Sequence, residues 1–128
     1  IVAVTVLTSR EGADLEMIGV DPDPARQVAR LAALARDSGV DGIVCSGAEV
    51  AAARQAWPGG MFVVPGVRPL GDESGDQKRI VTPRRALDAG ASILVIGRPI
   101  TAAVDPRRAI RAIAEDLADA PQPIGNLT

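Results

Sequence analysis

The chain has 128 residues and a formal net charge of −2, with 47% hydrophobic and 23% charged residues. This balance predicts one packed soluble domain and excludes a disordered chain. Aromatic residues make up only 2% of the chain, which argues against a surface that stacks nucleic-acid bases. The acidic net charge also offers no general attraction to a polyanion.

Histidine is absent, and Cys45 is the single cysteine. These counts exclude histidine-based acid–base chemistry, an internal disulfide and a cysteine-cluster metal site. The apolar runs are interrupted within about ten residues, which is too short for a membrane span. Residue 1 is Ile rather than Met, so the sequence leaves open whether a targeting segment precedes it.

Strand and helix patterns alternate four times along the chain. Strands are predicted at 1–7, 42–46, 61–64 and 92–96. The first is rich in β-branched residues and almost wholly apolar, which predicts burial on both faces. Helices are predicted from Asp21-Pro-Asp-Pro24 to Gly39, over 48–56, from Thr82-Pro83 to Gly90, and from Asp105-Pro106 onward.

Four βα units in a chain of this length match half of an eightfold TIM barrel. An open, doubly wound parallel sheet is the alternative α/β architecture. Residues 1–120 are assigned to the half barrel and 121–128 to a C-terminal tail. A lone half barrel leaves two strand edges and one sheet face uncovered, so either architecture needs more chain, a partner or a rearranged sheet.

Glycine and arginine occur together after the third and fourth predicted strands. Gly66 and Arg68 follow the third strand, and Gly97 and Arg98 follow the fourth. Glycine lets a ligand approach the backbone closely, and the guanidinium fork suits phosphate or carboxylate. Ligands bind at the carboxyl ends of strands in both architectures. Each arginine alone is explained as a surface charge, whereas the pair with its glycines leaves both a phosphate site and two surface charges open.

The connection over 69–79 is long for a βα loop and carries no apolar residue after Leu70. It is either a solvated surface loop or a lid that closes over a charged ligand. Cys45 is predicted to be a small buried hydrophobe, because no histidine is present to activate it. Trp57 is predicted to anchor a helix end against the core.

Five sequence blocks occur in the order that is familiar from one enzyme family. They are Ala3-Val-Thr-Val-Leu-Thr-Ser9, Asp41-Gly-Ile-Val-Cys-Ser46, Val64-Pro-Gly-Val-Arg-Pro69, Gly75-Asp-Gln-Lys-Arg79 and Val95-Ile-Gly-Arg-Pro-Ile-Thr101. Together they resemble the C-terminal half of the bacterial orotidine 5′-phosphate decarboxylases over essentially the whole chain. Val64 stands where the family usually has Thr, while the Pro, Gly and Arg that follow are kept.

The resemblance implies a (β/α)₈ barrel that converts orotidine 5′-monophosphate to UMP and CO₂ in pyrimidine synthesis. It implies a cytoplasmic homodimer that uses no metal or organic cofactor, and no nucleic-acid or membrane partner is expected. Matching positions imply five substrate-binding residues: Thr8, Arg68, Gln77, Gly97 and Arg98. Of these, Gln77 would lie in the lid, and Gly97 and Arg98 would form the phosphate site.

The catalytic part of the family pattern is missing. The resemblance implies an Asp-x-Lys-x-x-Asp motif on early strands, but this chain has no such motif and its only lysine is Lys78, within the loop. No catalytic residue is therefore assigned here, and the expected partner is the N-terminal half of the barrel. The alternative is an inactive half barrel that binds a phosphorylated ligand.

Overall fold

A computed structural model describes residues 1–69, 71 and 80–118. Within these residues the elements follow in the order β1 (Val2–Val4), α1 (Gly12–Met17), α2 (Pro24–Asp37), β2 (Gly42–Val44), α3 (Val50–Ala56), β3 (Met61–Val64), α4 (Pro83–Asp88), β4 (Ile93–Leu94), α5 (Arg98–Thr101) and α6 (Pro106–Ala118).

The four strands form one parallel sheet in the order β1-β2-β3-β4. The register aligns Val4 with Val44, Val44 with Val63, and Val63 with Ile93. A doubly wound sheet reverses its strand order at a switch point, whereas a barrel adds each new strand beside the last one. The observed order confirms the half-barrel prediction and excludes the doubly wound alternative for the described strands.

Two of the predicted helix starts are confirmed in detail. The Asp23 carboxylate accepts hydrogen bonds from the amides of Ala25 and Arg26 at the start of α2. The Thr82 hydroxyl accepts one from the Arg85 amide at the start of α4. Each cap is followed by proline at the first helical position, where the missing N–H removes no intrahelical hydrogen bond.

The core lies between the sheet and its helices. Ile43, Phe62 and Val64 point from the sheet into this layer and are fully buried. Trp57 packs edge-on against Phe62, with ring centroids 6.2 Å apart, which confirms its predicted anchoring role. Cys45 is buried in the same layer, also as predicted.

The opposite side of the sheet, called the inner face below, is open. Its exposed side chains have relative accessibilities of 42–59% and are Val4, Met61, Ile93 and Val95. The prediction that the first strand is buried on both faces is wrong for this chain. The reason is that the described helices pack on one face only, so every second side chain of β1 has nothing to cover it.

The predicted tail 121–128 and most of the loop 69–79, including Gln77 and Lys78, lie outside the described residues. None of the helices described here combines the length and apolar character that a bilayer crossing requires.

Candidate anion-binding site

The chain turns sharply where β3 ends. Gly66 has a φ of +70°, a left-handed conformation that residues with a Cβ rarely adopt. Beyond this turn, the Arg68 amide donates a hydrogen bond to the Val81 carbonyl at 2.9 Å, and the Val81 amide donates to the Gly66 carbonyl at 3.3 Å. The Arg68 backbone is therefore held between the end of β3 and the segment that leads into α4.

A short connection over residues 95–97 joins β4 to the short helix α5. The Gly97 carbonyl accepts hydrogen bonds from the amides of Ile100 and Thr101, at 2.9 and 3.0 Å. This arrangement places Arg98 at the first position of the helix, shortly after the end of β4. A Cβ added at Gly97 would meet no other atom within 4 Å, so the glycine borders open space.

These two strand ends line one open pocket of about 180 Å³. The lining residues are Pro65, Gly66, Val67, Arg68, Val95, Gly97, Arg98 and Pro99. Three of the residues predicted from sequence, Arg68, Gly97 and Arg98, are thus brought together. The parallel pairing of β3 with β4 explains this, because carboxyl ends of neighbouring parallel strands meet at one edge of the sheet.

Arg68 is the unusual group in this pocket. Its relative accessibility is 8%, and its buried Nε has no hydrogen-bond partner in the part of the chain that the structure describes. Among the described residues, no carboxylate forms an ion pair with it. A buried cation without a counter-charge is costly, because it has lost hydration without gaining an anion. An anionic ligand in the pocket would supply the missing charge, and Arg98 adds a second guanidinium beside it.

The remaining predicted site residues are placed differently. Thr8 is buried at the carboxyl end of β1, two strands away from this pocket, and does not line it. Gln77 lies outside the described residues. Within the part of the chain that is described, no group of three or more His, Cys, Asp or Glu side chains is arranged to hold a metal ion.

A buried polar pair at the end of β2 was not assigned from the sequence. The Ser46 hydroxyl donates a hydrogen bond to the Glu49 carboxylate, and accepts one from the Ala48 amide at 3.2 Å. Both side chains are buried. The Ser-x-x-Glu spacing of a capping box was the signal that could have revealed it. The pair fixes the turn between β2 and α3.

A separate groove lies between α2 and α3 on the outside of the helix layer. It has a volume of about 140 Å³ and is lined largely by alanines. It is remote from the strand ends where the arginines converge, and it offers no paired cations. The arginine pocket is therefore the candidate functional site.

Fold and site together define the class: half of a TIM barrel with an arginine-lined pocket after its last two strands. A family model agrees over residues 1–113, and its description is orotidine 5′-phosphate decarboxylase / HUMPS family. The chain belongs to this family.

Curated relatives support the assignment. An orotidine 5′-phosphate decarboxylase of Sphingopyxis alaskensis is 63% identical over 117 residues, which cover 91% of this chain and 52% of the relative. One from Pseudomonas aeruginosa is 55% identical over 91% of this chain and 50% of its own length. The chain thus spans about half the length of the curated relatives it matches.

Solved structures show the same relationship. The orotidine 5′-phosphate decarboxylase of Lactobacillus acidophilus superposes with a TM-score of 0.72 at 36% identity, over 93% of this chain and 49% of that structure. The enzyme of Sulfolobus solfataricus gives a TM-score of 0.57 at 25% identity, over 72% of this chain and 41% of that structure. The α/β half barrel is therefore one half of the TIM barrel seen in these relatives.

Proposed function

We propose that this chain is the nucleotide-binding half of an orotidine 5′-phosphate decarboxylase, and that it holds the phosphate of orotidine 5′-monophosphate and UMP. The observation that carries this proposal is the buried guanidinium of Arg68, which lines the same pocket as Arg98 and whose Nε has no hydrogen-bond partner among the described residues. Family membership and the identity with named decarboxylases support the choice of nucleotide.

In this proposal both Arg68 and Arg98 bind the phosphate. Arg68 supplies a rigid, dehydrated cation, and the exposed Arg98 adjusts to the incoming phosphate from the first turn of α5. Gly97 leaves room for phosphate oxygens beside the backbone. Thr8 and Gln77 are proposed to contact the nucleotide away from the phosphate, with the loop 69–79 as a lid.

The reaction needs groups that this chain does not supply. Loss of CO₂ leaves negative charge on the pyrimidine ring, and a positioned ammonium can stabilise that charge and then donate a proton. Lys78 is the only lysine of the sequence and belongs to the loop. We therefore assign the chain a binding role, in which phosphate contacts supply the energy that holds the ring against catalytic groups elsewhere.

The catalytic groups are proposed to come from the N-terminal half of the barrel, packed on the open inner face. The exposed Val4, Met61, Ile93 and Val95 support this, because a closed barrel would bury them. The complete enzyme is proposed to be a cytoplasmic homodimer without metal or organic cofactor.

A calorimetric titration with UMP, uridine and inorganic phosphate tests the binding role. We expect UMP and phosphate to bind and uridine to bind far more weakly. Arg98→Ala should weaken UMP binding about tenfold or more, since a charge-assisted hydrogen bond contributes about 1.5–3 kcal/mol. Arg30→Ala, which removes an exposed arginine on α2, is the matched control. Equal binding by both variants would refute the phosphate site.

A measurement of orotidine 5′-monophosphate turnover distinguishes this proposal from the alternative, an inactive half barrel that binds a phosphorylated ligand. The missing Asp-x-Lys-x-x-Asp motif favours that alternative. The chain is mixed with the N-terminal half of the Sphingopyxis relative, and loss of orotidine 5′-monophosphate absorbance is followed. We expect decarboxylation by the mixture and none by the chain alone. A folded, UMP-binding mixture without turnover would support the inactive alternative.

A further inference from the structure

The turn between β2 and α3 contacts a residue that supports the arginine pocket. Gly47 lies in this turn, and a Cβ added there would stand 2.5 Å from the Val81 Cβ and closer still to its Cγ1. Carbon atoms in ordinary contact are about 3.5–4.0 Å apart. The Gly47 backbone has no positive φ, so its conformation is open to any residue. Glycine is therefore required at position 47 by the space that Val81 occupies, and not by the course of the backbone.

Val81 connects this turn to the pocket. It forms an isolated parallel bridge with the buried Val67. The Val81 carbonyl accepts a hydrogen bond from the Arg68 amide at 2.9 Å, and the Val81 amide donates to the Gly66 carbonyl at 3.3 Å. Neither Gly47 nor Val81 lines the pocket itself. A continuous set of contacts thus runs from Gly47 through Val81 to the backbone of Arg68.

The two sides of the contact at Gly47 are held with different firmness. Within the turn, the Ser46 hydroxyl donates to the buried Glu49 carboxylate and accepts from the Ala48 amide. The Ser46 carbonyl accepts from the amides of Glu49 and Val50, both at 3.2 Å. Rotation of the Val81 side chain about χ1 moves its methyl groups but leaves its Cβ in place, so rotation does not relieve the crowding. We therefore expect an added Cβ to displace Val81 and not the turn.

A displacement of Val81 reaches the guanidinium of Arg68 because that side chain is buried. The exposed Arg98 can turn about its side-chain bonds to keep a contact with a phosphate oxygen. Arg68 is enclosed and lacks this freedom, so its guanidinium follows its backbone. Ordinary contact with an added Cβ requires Val81 to move by about 1 Å. A charge-assisted hydrogen bond of about 2.7–2.9 Å does not survive a displacement of that size unchanged.

We propose that Gly47 is a positioning residue for Arg68: the space it leaves for Val81 sets where the buried guanidinium stands in the pocket. This inference rests on the proposed phosphate site. It adds a requirement from the end of β2, although the pocket itself is lined by residues at the ends of β3 and β4. A change that removes no charge and touches no pocket residue should therefore weaken phosphate binding.

Calorimetric titration of Gly47→Ala with UMP and with inorganic phosphate is the primary test. We expect both dissociation constants to rise by about tenfold, which corresponds to most of one charge-assisted hydrogen bond. The factor should be the same for both ligands, because both present a phosphate to Arg68. Gly59→Ala is the matched control, since its Cβ would meet nothing within 4 Å, and it should bind like the parent chain.

The titration separates this inference from the proposed function. A parent chain that binds both ligands and a Gly47→Ala chain that binds them equally well would overturn the inference and leave the phosphate site standing. A parent chain that binds neither UMP nor phosphate would refute the proposed function and this inference together.

Arg54→Ala distinguishes a misplaced Arg68 from a weakened fold. Arg54 donates hydrogen bonds to the carbonyls of Gly60 and Gly90, which precede β3 and β4 at the end of the sheet opposite the pocket. At a temperature where circular dichroism shows the variants folded, Arg54→Ala should bind UMP with the parental affinity. A loss of affinity in Arg54→Ala as large as that in Gly47→Ala would assign the effect to stability and overturn the positioning role.

A second change at Val81 tests the contact from its other side. Val81→Gly removes the Cβ and both methyl groups, so it loosens the packing without crowding and should raise the UMP dissociation constant by about threefold. The double variant Gly47→Ala/Val81→Gly has room for the added Cβ, and we expect it to bind UMP more tightly than Gly47→Ala alone. Strictly additive losses in the double variant would refute the contact as the cause.

Amide hydrogen exchange reports on the Arg68 backbone without a ligand. The Arg68 and Val81 amides donate the two hydrogen bonds that join these segments, and both should exchange at least tenfold faster in Gly47→Ala. Gly59→Ala should leave both exchange rates unchanged. A Gly47→Ala chain that loses UMP affinity while both amides keep their parental exchange rates would place the effect elsewhere and contradict the proposal.

Discussion

The guanidinium carbon of Arg54 lies 4.4 Å from the centre of the Phe62 ring, in cation–π geometry. Arg54 also uses all of its N–H donors on the turns that precede β3 and β4. Its Nη1 donates to the carbonyls of Pro58 and Gly60, while Nε and Nη2 donate to the Gly90 carbonyl and Nη2 to the Ser92 hydroxyl. One side chain therefore joins α3 to the starts of two neighbouring strands.

Arg54→Ala should destabilise the fold substantially. The loss combines several charge-assisted hydrogen bonds with a cation–π contact, and we expect the free energy of unfolding to fall by about 2–4 kcal/mol. Arg54→Lys keeps the charge but reaches fewer acceptors, so its loss should be smaller. Urea unfolding measures both, with Arg30→Ala as a surface control expected to change stability by under about 1 kcal/mol. Equal effects of Arg54→Ala and Arg30→Ala would contradict this role.

Gly42 is required by the close approach of β2 to β3. A Cβ at this position would stand 1.8 Å from the Met61 carbonyl oxygen, which is backbone and cannot rotate away. Gly42→Ala should therefore lower the free energy of unfolding by about 3 kcal/mol or more. Gly59→Ala is the matched control, because its Cβ would meet nothing within 4 Å. Similar thermal midpoints for the two variants would show that β3 moves aside easily.

The Arg68 side chain should favour UMP binding but destabilise the unliganded fold. Arg68→Met keeps much of the side-chain volume but removes a buried cation that has no counter-ion among the described residues. We expect the unliganded chain to become more stable by roughly 1 kcal/mol, because the desolvated charge is gone. UMP binding should be lost in the same variant. A lower thermal midpoint together with unchanged UMP binding would contradict the assignment of Arg68.

The Asp21 carboxylate, in the loop before α2, should stabilise the fold at neutral pH and lose this effect in acid. A hydrogen bond from the Asp23 amide, together with Arg26 and Arg30, holds the pKa of Asp21 below its ordinary value of 3.8. A carboxyl whose pKa is lower in the folded state stabilises the fold above the unfolded pKa, and that contribution disappears as pH falls through the folded pKa.

Thermal midpoints of the chain and of Asp21→Asn, measured between about pH 6 and pH 2, test this. The window spans the ordinary carboxyl pKa on both sides. The difference between the two proteins should be greatest at pH 6 and shrink below pH 4. Parallel curves over the whole range would show that Asp21 is not coupled to folding.

Local signals in the sequence accounted for much of the secondary structure. The caps at Asp23 and Thr82 act within one helical turn, so they were readable from neighbouring residues. The short helices α1 and α5 were not predicted, because six and four residues are too few to show an apolar period. Glu49 was missed for another reason: its burial depends on packing at the end of β2.

The sequence by itself determined the alternation of strands and helices and the placement of glycine with arginine after the last two strands. These features depend on propensities and spacings within a few residues. Only the tertiary structure decided between a barrel-like and a doubly wound strand order, because strand neighbours are set by contacts between distant segments. It also decided that the Arg68 side chain is buried, with no partner for its Nε among the described residues, and that the inner face is open. Burial and charge pairing depend on what the rest of the fold brings near each residue, which local sequence does not encode.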